Sequence, residues 1–404
     1  MIKGSGTKGS GTQALTGVKI ADFSWVGAGP RATKDLADHG ATVVKIESRK
    51  RLDLGRMSPP FKDGKRNPDG SSFFAITNTS KLGVTINLGD PRGIEVAKRL
   101  VAWADVVVEN FGKGFMERIG LGADVLRAIK PDLIILSVSV AGRVGPMSDL
   151  RGYGNSAAAL SGLAALSGWP DRGPHMPPFA YGDVVAPMFG TMAVLAALEH
   201  KRQTGEGQHI DVSQVEPLVH VLSDVLIRRQ IEGEAFEKPV NAAPGMAPHG
   251  IFPARGIDQY CAIAVRDDAD WRALAGIIGA DPALDLAARA APEVSAALAD
   301  WTRGRDKHLI AEELAAAGVP AEAVRDGREV FTDPELIESS HYVAIEHPVL
   351  GRCDMPGPPA DFSRSEVKIG PPPMLGGDNH HVFVEMLGMD ADEIAALADE
   401  GVLA

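Results

Sequence analysis

The stretch that decides the fold is GVKIADFSWVGAGPRATKDLADHGATVVKIES, residues 17–48. It predicts an apolar strand at residues 18–23, a helix at 30–39 that ends at Gly40, and a β-branched strand at 42–46. A strand, a helix and a second strand in this order form a βαβ unit with parallel strands. The sequence therefore predicts an α/β protein whose parallel sheet begins here.

The same alternation continues along the chain. Asp90 followed by Pro91 predicts a helix start, and that helix leads into an apolar strand at 105–109. Residues 133–138 and 208–212 predict two more strands. Strands with helices on both sides predict a doubly wound, Rossmann-like sheet, which binds ligands outside the carboxyl ends of its strands.

The turns that follow the first four predicted strands are therefore candidate ligand contacts. They lie at residues 25–30, 47–51, 110–114 and 139–145, and three of these four segments contain glycine. None matches GxGxxG or GxxxxGK[ST], so the turns support neither a dinucleotide fingerprint nor a P-loop. Glycine in such a turn is also what any tight connection needs.

The composition changes from about residue 228. Residues 232–248 are rich in Gly, Ala and Pro and predict a linker, whereas 250–327 combine short strands such as 260–265 with helices such as 271–278. A chain of 404 residues also exceeds the roughly 250–300 residues that one core supports. We expect a flexible tail at 1–14, a large domain at 15–227 with 335–404, and a smaller α+β domain with linkers at 228–334.

Charge and composition exclude several classes of protein. The formal net charge is −12, and the hydrophobic and charged fractions are 45% and 23%, as in a globular protein. An acidic chain lacks the basic face that nucleic acid or an anionic membrane requires. Any phosphate site must therefore be local.

The sequence also suggests where the protein resides. No apolar run approaches the ~20 residues of a membrane span, and residues 1–13 lack the apolar core of a signal peptide. Cys261 and Cys353 are too few for a disulfide framework and are not spaced as a metal site. We expect a cytoplasmic protein that needs no metal.

Asp183 stands out because of its position. It follows the Pro/Gly-rich segment GWPDRGPHMPPFAYG, residues 168–182, and precedes an apolar helix at about 184–200 that closes with Gly205. A carboxylate at this place either caps the helix or takes part in a reaction. The residues alone leave both interpretations open.

Four segments together resemble the family III CoA-transferases, which include formyl-CoA transferase, carnitine CoA-transferase and, as a branch, α-methylacyl-CoA racemase. They are residues 17–48 above, NTSKLGVTINLGDPRG with ADVVVENFGKGFMERIGLG at 78–93 and 104–122, RGYGNSAAALSGLAALSG at 151–168, and YGDVVAPMFGTMAVLAALEHKRQTGEGQHIDVS at 181–213. The likeness spans most of residues 15–380. It implies a Rossmann-like large domain and a dimer whose protomers interlock like chain links.

The resemblance implies a role for individual residues. Asp183 matches the family's catalytic aspartate. The residues that it places beside CoA are Asn110, Phe111, Arg118 and Arg151, with Tyr153 at the mouth of the active site and Arg49, or else Arg51, as a phosphate partner. Coenzyme A and acyl-CoA are then substrates, and no tightly bound cofactor is implied.

A carboxylate suits the exchange of a thioester between two acids, because it is both a nucleophile and an acceptable leaving group. Asp183 would attack the donor thioester to give an anhydride, and the CoA thiolate would then attack the aspartyl carbonyl to give an enzyme–CoA thioester. The acceptor acid reverses the sequence. Backbone N–H groups at the start of the following helix are expected to stabilise the oxyanions.

The chain departs from relatives in ways that bear on its substrate. Formyl-CoA transferase has glutamine where this chain has Gly27, and a glycine run where this chain reads AAPGMAP at 242–248. The small residues suggest room for an acid larger than formate. Succinyl-CoA as donor, and succinate, mesaconate or an aryl-substituted succinate as acids, follow by analogy alone.

Two alternatives remain open on the sequence. An acyl-CoA racemase or epimerase would use Asp183 as a base together with a histidine, but Tyr153 stands where the racemase branch has that histidine, and His175 lies in a loop. A CoA-binding subunit of a heteromeric CoA-transferase would keep the fold and leave the chemistry to a sister chain. The presence of Asp183 weighs against this second alternative.

Overall fold

The computed structural model describes residues 11–233 and 240–404, which divide into two compact units. The described residues of the first unit are 11–166, 174–233 and 340–404, and those of the second are 167–173 and 240–339. The domain limits given above, 15–227 with 335–404 and 228–334, stay a prediction. Most of the predicted tail, and residues 234–239 of the predicted linker, lie outside the described residues.

The first unit is built on a six-stranded sheet in which all neighbouring strands are parallel. Its strands are β1 (Lys19–Asp22), β2 (Thr42–Glu47), β3 (Leu82–Thr85), β4 (Val106–Glu109), β5 (Ile134–Ser139) and β6 (His209–Ser213), in the order β3-β2-β1-β4-β5-β6. The strand order reverses beside β1, where Ile20 pairs with Val43 on one side and Val106 on the other. The predicted α/β class with a parallel sheet is confirmed.

Ten helices connect and follow these strands in residues 11–233. They are α1 (Ala28–Asp38), α2 (Ser72–Thr77), α3 (Pro91–Trp103), α4 (Phe115–Arg118), α5 (Ala123–Ile129), α6 (Gly154–Leu160), α7 (Leu163–Leu166), α8 (Gly182–Thr204), α9 (Val215–Val221) and α10 (Ser223–Glu232). Short 3-10 turns lie at Leu54–Met57 and Lys62–Gly64.

The inner strands are mostly apolar because both faces of the sheet are buried there. Successive side chains point to opposite faces, so Ala21, Val44 and Val107 join one core and Ile20, Val43 and Val106 join the other. Helix α3 contributes to the first of these cores, and α1 and α8 contribute to the second. The two faces together hold the carboxyl ends of β1 and β4 in place.

Strand β3 was not recognised from the sequence. It has only four residues, one of which is Gly83, and glycine is unfavourable within strands. A Cβ atom at Gly83 would lie 2.7 Å from Cβ of Pro373 and 2.8 Å from the Met374 carbonyl oxygen. The glycine therefore allows a distant segment of the chain to pack on this edge strand.

The signals at helix ends were correct. Asp90 caps α3 by accepting a hydrogen bond from the Arg92 backbone N–H, and Pro91 is the first helical residue. Helix α8 ends at Gly205, whose φ of 78° favours glycine.

Helix α8 is the longest apolar segment in the described residues, although its apolar run is shorter than the ~20 residues of a membrane span. Among residues 11–233 and 240–404, the whole 23-residue helix is nevertheless the one that is long and apolar enough to cross a membrane by length and composition alone. The core helix of a soluble protein can have the same length and composition. Here α8 packs against α1, α6 and the strands β5 and β6.

The second unit has its own core. Its antiparallel sheet follows the order β7 (His249–Pro253), β8 (Tyr260–Ala264) and β9 (Ala321–Ala323). Its helices are α11 (Asp268–Ile278), α12 (Leu286–Arg289), α13 (Pro292–Arg303), α14 (Lys307–Ala316), α15 (Gly327–Phe331) and α16 (Pro334–Glu338). The buried Trp271 packs with Cys261 and Leu298 in this core.

The last part of the chain returns to the first unit. It forms an antiparallel hairpin of β10 (Tyr342–His347) and β11 (Gly351–Pro356), a π-helical turn at His381–Met386 and helix α17 (Ala391–Asp399). Phe383 and Leu403 are buried in the core that also contains Val84 of β3.

Candidate active site

A cleft of 860 Å³ opens at the carboxyl ends of the strands, where the topology predicts a ligand site. Residues that follow β1, β2, β3, β4 and β5 line it, together with Asp183 and Gln214. All of these residues belong to the first unit. The volume lies within the roughly 300–1,000 Å³ of small-molecule sites.

Asp183 lies in the first turn of α8 and does not cap that helix. Instead, its Oδ2 accepts a hydrogen bond of 3.2 Å from the Gly154 backbone N–H, and its Oδ1 accepts one of 3.0 Å from Nε2 of Gln214. Both carboxylate oxygens are therefore held by donors from outside α8. This fixed orientation is what a reactive carboxylate requires.

Two glycines allow Gly154 to approach Asp183. A Cβ atom at Gly154 would lie 2.5 Å from the Asp183 backbone nitrogen, and one at Gly182 would lie 2.8 Å from Cα of Gly154. Any side chain at either position would force α6 and α8 apart. The glycine pair thus brings the first N–H of α6 to the carboxylate.

The electrostatics of the site favour a basic carboxylate. Burial raises the pKa of Asp183 above its usual value, and this effect exceeds the lowering by the two hydrogen bonds and by the charge of Arg31. The pKa of a catalytic group is often shifted in this way.

The turn after β1 forms the wall opposite Asp183. Asn110 holds this turn, because its Oδ1 accepts from the Trp25 backbone N–H and its Nδ2 donates to the Trp25 carbonyl oxygen, both at 2.7 Å. Both polar ends of the Asn110 amide are therefore occupied by the turn. Asn110 lines the cleft, and its side chain shapes the wall.

A buried ion pair supports the same turn. Val26 has a φ of 63°, which is unusual for a β-branched residue, and its N–H donates to Oδ1 of Asp53 over 2.9 Å. Oδ2 of Asp53 lies 3.1 Å from Nζ of Lys45, and both side chains are fully buried. Nζ of Lys45 also donates to the carbonyl oxygen of Ser24 in the turn. The pair therefore ties the strained backbone to β2.

The mouth of the cleft carries aromatic rings and cations. Phe111 contacts both Trp25 and Phe115, with ring centroids at 5.5 and 4.3 Å. The guanidinium groups of Arg51 and Arg118 lie 5.7 and 5.9 Å from the Trp25 and Phe115 rings. The cationic residues that line the cleft are Lys50, Arg51, Arg118 and Arg151. They give the lining of the cleft positive charge.

The structure brings most of the predicted site residues to one cleft. Asp183, Asn110, Phe111, Arg118, Arg151 and Tyr153 all line it. Arg49 is not among the lining residues, and its Nη2 donates to the Leu375 carbonyl oxygen at 2.8 Å. Arg51, the alternative to Arg49, does line the cleft.

Sequence reasoning missed Gln214 and Gly154. Gly154 lies in the quoted segment 151–168, but no local pattern marks either residue as a partner of Asp183, because the contacts join positions 31 and 29 residues apart. Among residues 11–233 and 240–404, no histidine lines the cleft and no group of three or more metal-ligating side chains is found.

A model of CoA-transferase family III matches residues 15–379, and the chain belongs to that family. It is a CoA-transferase, as the sequence resemblance implied.

The chain is similar to several named enzymes. It is 29% identical to succinyl-CoA–D-citramalate CoA-transferase of Chloroflexus aurantiacus, over 96% of this chain and 98% of the relative. It is 30% identical to succinyl-CoA:glutarate CoA-transferase of Mus musculus, over 96% and 90%. It is also 30% identical to the alpha subunit of succinyl-CoA–L-malate CoA-transferase of Chloroflexus aurantiacus, over 98% and 95%.

A solved structure has the same fold. A crystal structure of a CAIB/BAIF family protein from Brucella suis superposes with a TM-score of 0.85 at 29% identity, covering 93% of this chain and all of the other.

Proposed function

We propose that the chain transfers CoA from an acyl-CoA to a second carboxylic acid, and that Asp183 carries the transferred groups. The observation that supports this is the carboxylate itself, which lines the cleft with both oxygens held by hydrogen bonds. Because burial raises the pKa of Asp183, its ionised form is a stronger base than an exposed carboxylate. A positioned basic carboxylate suits nucleophilic catalysis.

The proposed reaction has four steps. One oxygen of Asp183 attacks the thioester carbon, a C–O bond forms, and CoA leaves as the thiolate. The thiolate attacks Cγ of Asp183 in the mixed anhydride, which gives an enzyme–CoA thioester and releases the donor acid. The acceptor carboxylate then attacks Cγ and expels the thiolate. Attack of the thiolate on the acceptor's acyl carbon yields the new acyl-CoA and restores Asp183.

Coenzyme A binds at the mouth of the cleft in this proposal. Arg118 and Arg151 hold its phosphates, because guanidinium groups bind phosphate with two aligned donors. Arg51 serves in place of Arg49, since Arg51 lines the cleft. Phe111 contacts the pantetheine or the base, and Tyr153, which is 55% exposed, lies at the entrance.

The proposed substrates are succinyl-CoA as donor and a dicarboxylic acid as acceptor. The three relatives described above are named for succinyl-CoA together with citramalate, glutarate or malate. These names support an acceptor acid larger than formate, and we include an aryl-substituted succinate among the acids to be tested. Pairs of donor and acceptor acids, followed by mass detection of the new acyl-CoA, identify the substrates.

Isotope transfer tests the role of Asp183. The enzyme–CoA thioester is formed with donor, freed of excess ligand, and treated with an acceptor whose carboxylate contains ¹⁸O. One ¹⁸O is expected in the peptide that contains Asp183 after a single turnover, and Asp183→Asn should form no thioester. The exposed Asp63→Asn is the control and should behave as wild type. A label on another residue, or none on the peptide, contradicts the proposal.

A homodimer is part of the proposal. One face of α8 exposes Met188, Met192 and Leu195 by 54, 55 and 40%, and Ile227 and Ile231 of α10 are 55 and 79% exposed. Such a patch suits burial against a second copy. Sedimentation should give a dimer for wild type and a smaller species for Met192→Asp. A wild-type monomer at micromolar concentration contradicts the interlocked dimer.

A heteromer is the second assembly to test, because one relative is named an alpha subunit. Activity of the chain purified alone separates the two cases, since a heteromeric subunit requires its sister chain.

The two cysteines are free thiols, and burial raises the pKa of Cys261 to about 11. This suits the reducing cytoplasm, which we propose as the location.

A further inference from the structure

Gln214 is a buried polar residue that neither the motifs nor the relatives' names bring into the reaction. It follows β6 directly and is 5% exposed. Its backbone N–H donates to the carbonyl oxygens of Ser139 and Val140, at 2.8 and 3.1 Å. The end of β5 therefore fixes the main chain of Gln214 at the base of the cleft.

The side-chain amide of Gln214 contacts Asp183. Its Nε2 donates to Oδ1 of Asp183, while its Oε1 is buried and has no hydrogen-bond partner among the described residues. An ionised carboxylate only accepts hydrogen bonds, so the N–H end of the amide must face it. Leaving one end of a buried amide unsatisfied costs free energy. Among the described residues, the bond to Asp183 is the one side-chain hydrogen bond of Gln214, so no further bond offsets this cost.

The two oxygens of Asp183 have different surroundings. A Cβ atom at Gly27 would lie 3.3 Å from Oδ2, so Oδ2 faces the turn where the side chain is missing. Oδ1 faces the Gln214 amide instead. Oδ2 also accepts from the Gly154 backbone N–H, which can stabilise it as the oxygen that leaves with the donor acid. We therefore assign the attack on the acyl carbon to Oδ2, and Oδ1 becomes the carbonyl oxygen of the aspartyl intermediates.

We propose that Gln214 is a catalytic residue, the hydrogen-bond donor to the aspartyl oxygen Oδ1 in the two steps that form and consume the enzyme–CoA thioester. This inference rests on the proposed function of Asp183. It goes further because it assigns a donor to the charge that develops on the enzyme's own carboxyl group.

The electron balance of these steps shows why a donor is needed there. When the CoA thiolate attacks Cγ, a C–S bond forms and the π electron pair of the carbonyl moves to Oδ1. The oxyanion then reforms the carbonyl and breaks the bond from Cγ to Oδ2, which leaves with the donor acid. Attack by the acceptor carboxylate places the charge on Oδ1 again, and the thiolate is the leaving group. A donor at 3.0 Å from Oδ1 stabilises both tetrahedral species.

The test uses Gln214→Met, which keeps the length of the side chain and removes the donor. Rapid quenching and intact-mass measurement follow the anhydride and the enzyme–CoA thioester in a single turnover. Thioester formation should slow at least tenfold, towards the roughly 10²- to 10³-fold that loss of one oxyanion donor costs. The anhydride should accumulate in its place, because its formation does not place charge on Oδ1.

A second experiment uses Gln214→Glu, which keeps a polar side chain at this position. A protonated Glu donates an O–H, whereas an ionised Glu repels the oxyanion, so thioester formation should recover as the pH falls. Gln203→Met, at an exposed position of α8, is the matched control and should match wild type. Thermal unfolding of each variant separates a folding defect from a chemical one.

The outcomes distinguish this inference from the proposed function. If wild type forms no adduct on Asp183, the proposed function fails and takes the inference with it. If wild type forms the adduct and Gln214→Met forms the thioester at the wild-type rate, the inference about Gln214 is wrong and the function stands. A folded Gln214→Met that loses anhydride and thioester equally also overturns the inference.

Discussion

Gly27 lies so close to Asp183 that a Cβ atom at residue 27 would be 3.0 Å from both Cβ and Cγ of the aspartate. The backbone of Gly27 has a φ of −117°, which any residue adopts, so the need for glycine comes from the neighbour. The wall opposite the carboxylate is therefore bare main chain.

Replacement of Gly27 by alanine should lower kcat at least tenfold, because small displacements of a reacting group are costly. The KM for acyl-CoA should change little, since the cations at the mouth are unaffected. Gly276→Ala is the control, because a Cβ atom there meets nothing within 4 Å and should stabilise α11 by about 0.5–1 kcal/mol. An unchanged kcat in Gly27→Ala would show that Asp183 has room to move.

The pH dependence of kcat/KM should reveal the state of Asp183. Only the ionised carboxylate attacks, and burial raises its pKa above the usual 3.8, so activity should fall on acidification at a higher pH than for an ordinary aspartate. Gln214→Met removes a hydrogen bond to the ionised form and should move this acid limb to still higher pH. A limb at or below pH 3.8 in wild type contradicts the assignment.

Alanine at Arg118 or Arg151 should raise the KM for acyl-CoA roughly tenfold, which corresponds to about 1.4 kcal/mol, and should leave kcat nearly unchanged. Both arginines line the cleft, and the donors to the Asp183 carboxylate are Gly154 and Gln214 instead. Arg49→Ala serves as the comparison, because Arg49 bonds to Leu375 and should affect thermal stability more than KM. A loss confined to kcat argues against phosphate binding.

Asp53→Asn should lower the free energy of unfolding by up to about 3 kcal/mol, because it removes the ion-pair partner of the buried Lys45 and leaves only the charges of Glu47 and Asp22. Burial alone would lower the pKa of Lys45, but Asp53, Glu47 and Asp22 hold it above its usual value, so the lysine stays charged. Urea unfolding measures the loss. Lys45→Met combined with Asp53→Asn should recover part of it, and a single variant as stable as wild type would contradict this role.

Exchange of the α-proton separates a transferase from a racemase. A chiral 2-methylacyl-CoA in deuterated water, without any acceptor acid, should gain no deuterium, because no histidine among the described residues lines the cleft. The phenol that Tyr153 offers in place of the histidine is a poor general base at neutral pH. Rapid deuterium incorporation would favour the racemase.

The sequence predicted what local patterns encode. The βαβ unit at residues 17–48, the cap at Asp90 and the stop at Gly205 each depend on neighbours within a few residues, and each was correct. The edge strand β3 was missed because it contains Gly83, whose lack of a side chain lets residues 373 and 374 pack on the strand. Local periodicity carries no signal for such distant packing.

In the candidate site, too, local patterns were predicted and contacts between distant residues were not. Asp183 was found because a family motif surrounds it, whereas Gln214 reaches it only after β6 pairs with β5. The contact of Asn110 with CoA stays a prediction, whereas the hydrogen bonds of its amide to the Trp25 backbone were not predicted. Which residue a side chain contacts across the fold depends on how the strands align, and local sequence patterns do not reveal that alignment.

The contact between Gly154 and Asp183 has a consequence for protein engineering. One of the two donors to the carboxylate is the main-chain N–H of Gly154, which keeps its identity when side chains elsewhere in the cleft are exchanged. Mutant libraries aimed at new acids should leave positions 27, 154 and 182 as glycine, because each lies against Asp183 or its helix. Substitutions are better placed at the mouth of the cleft, where they should alter selectivity and leave the contacts of Asp183 intact.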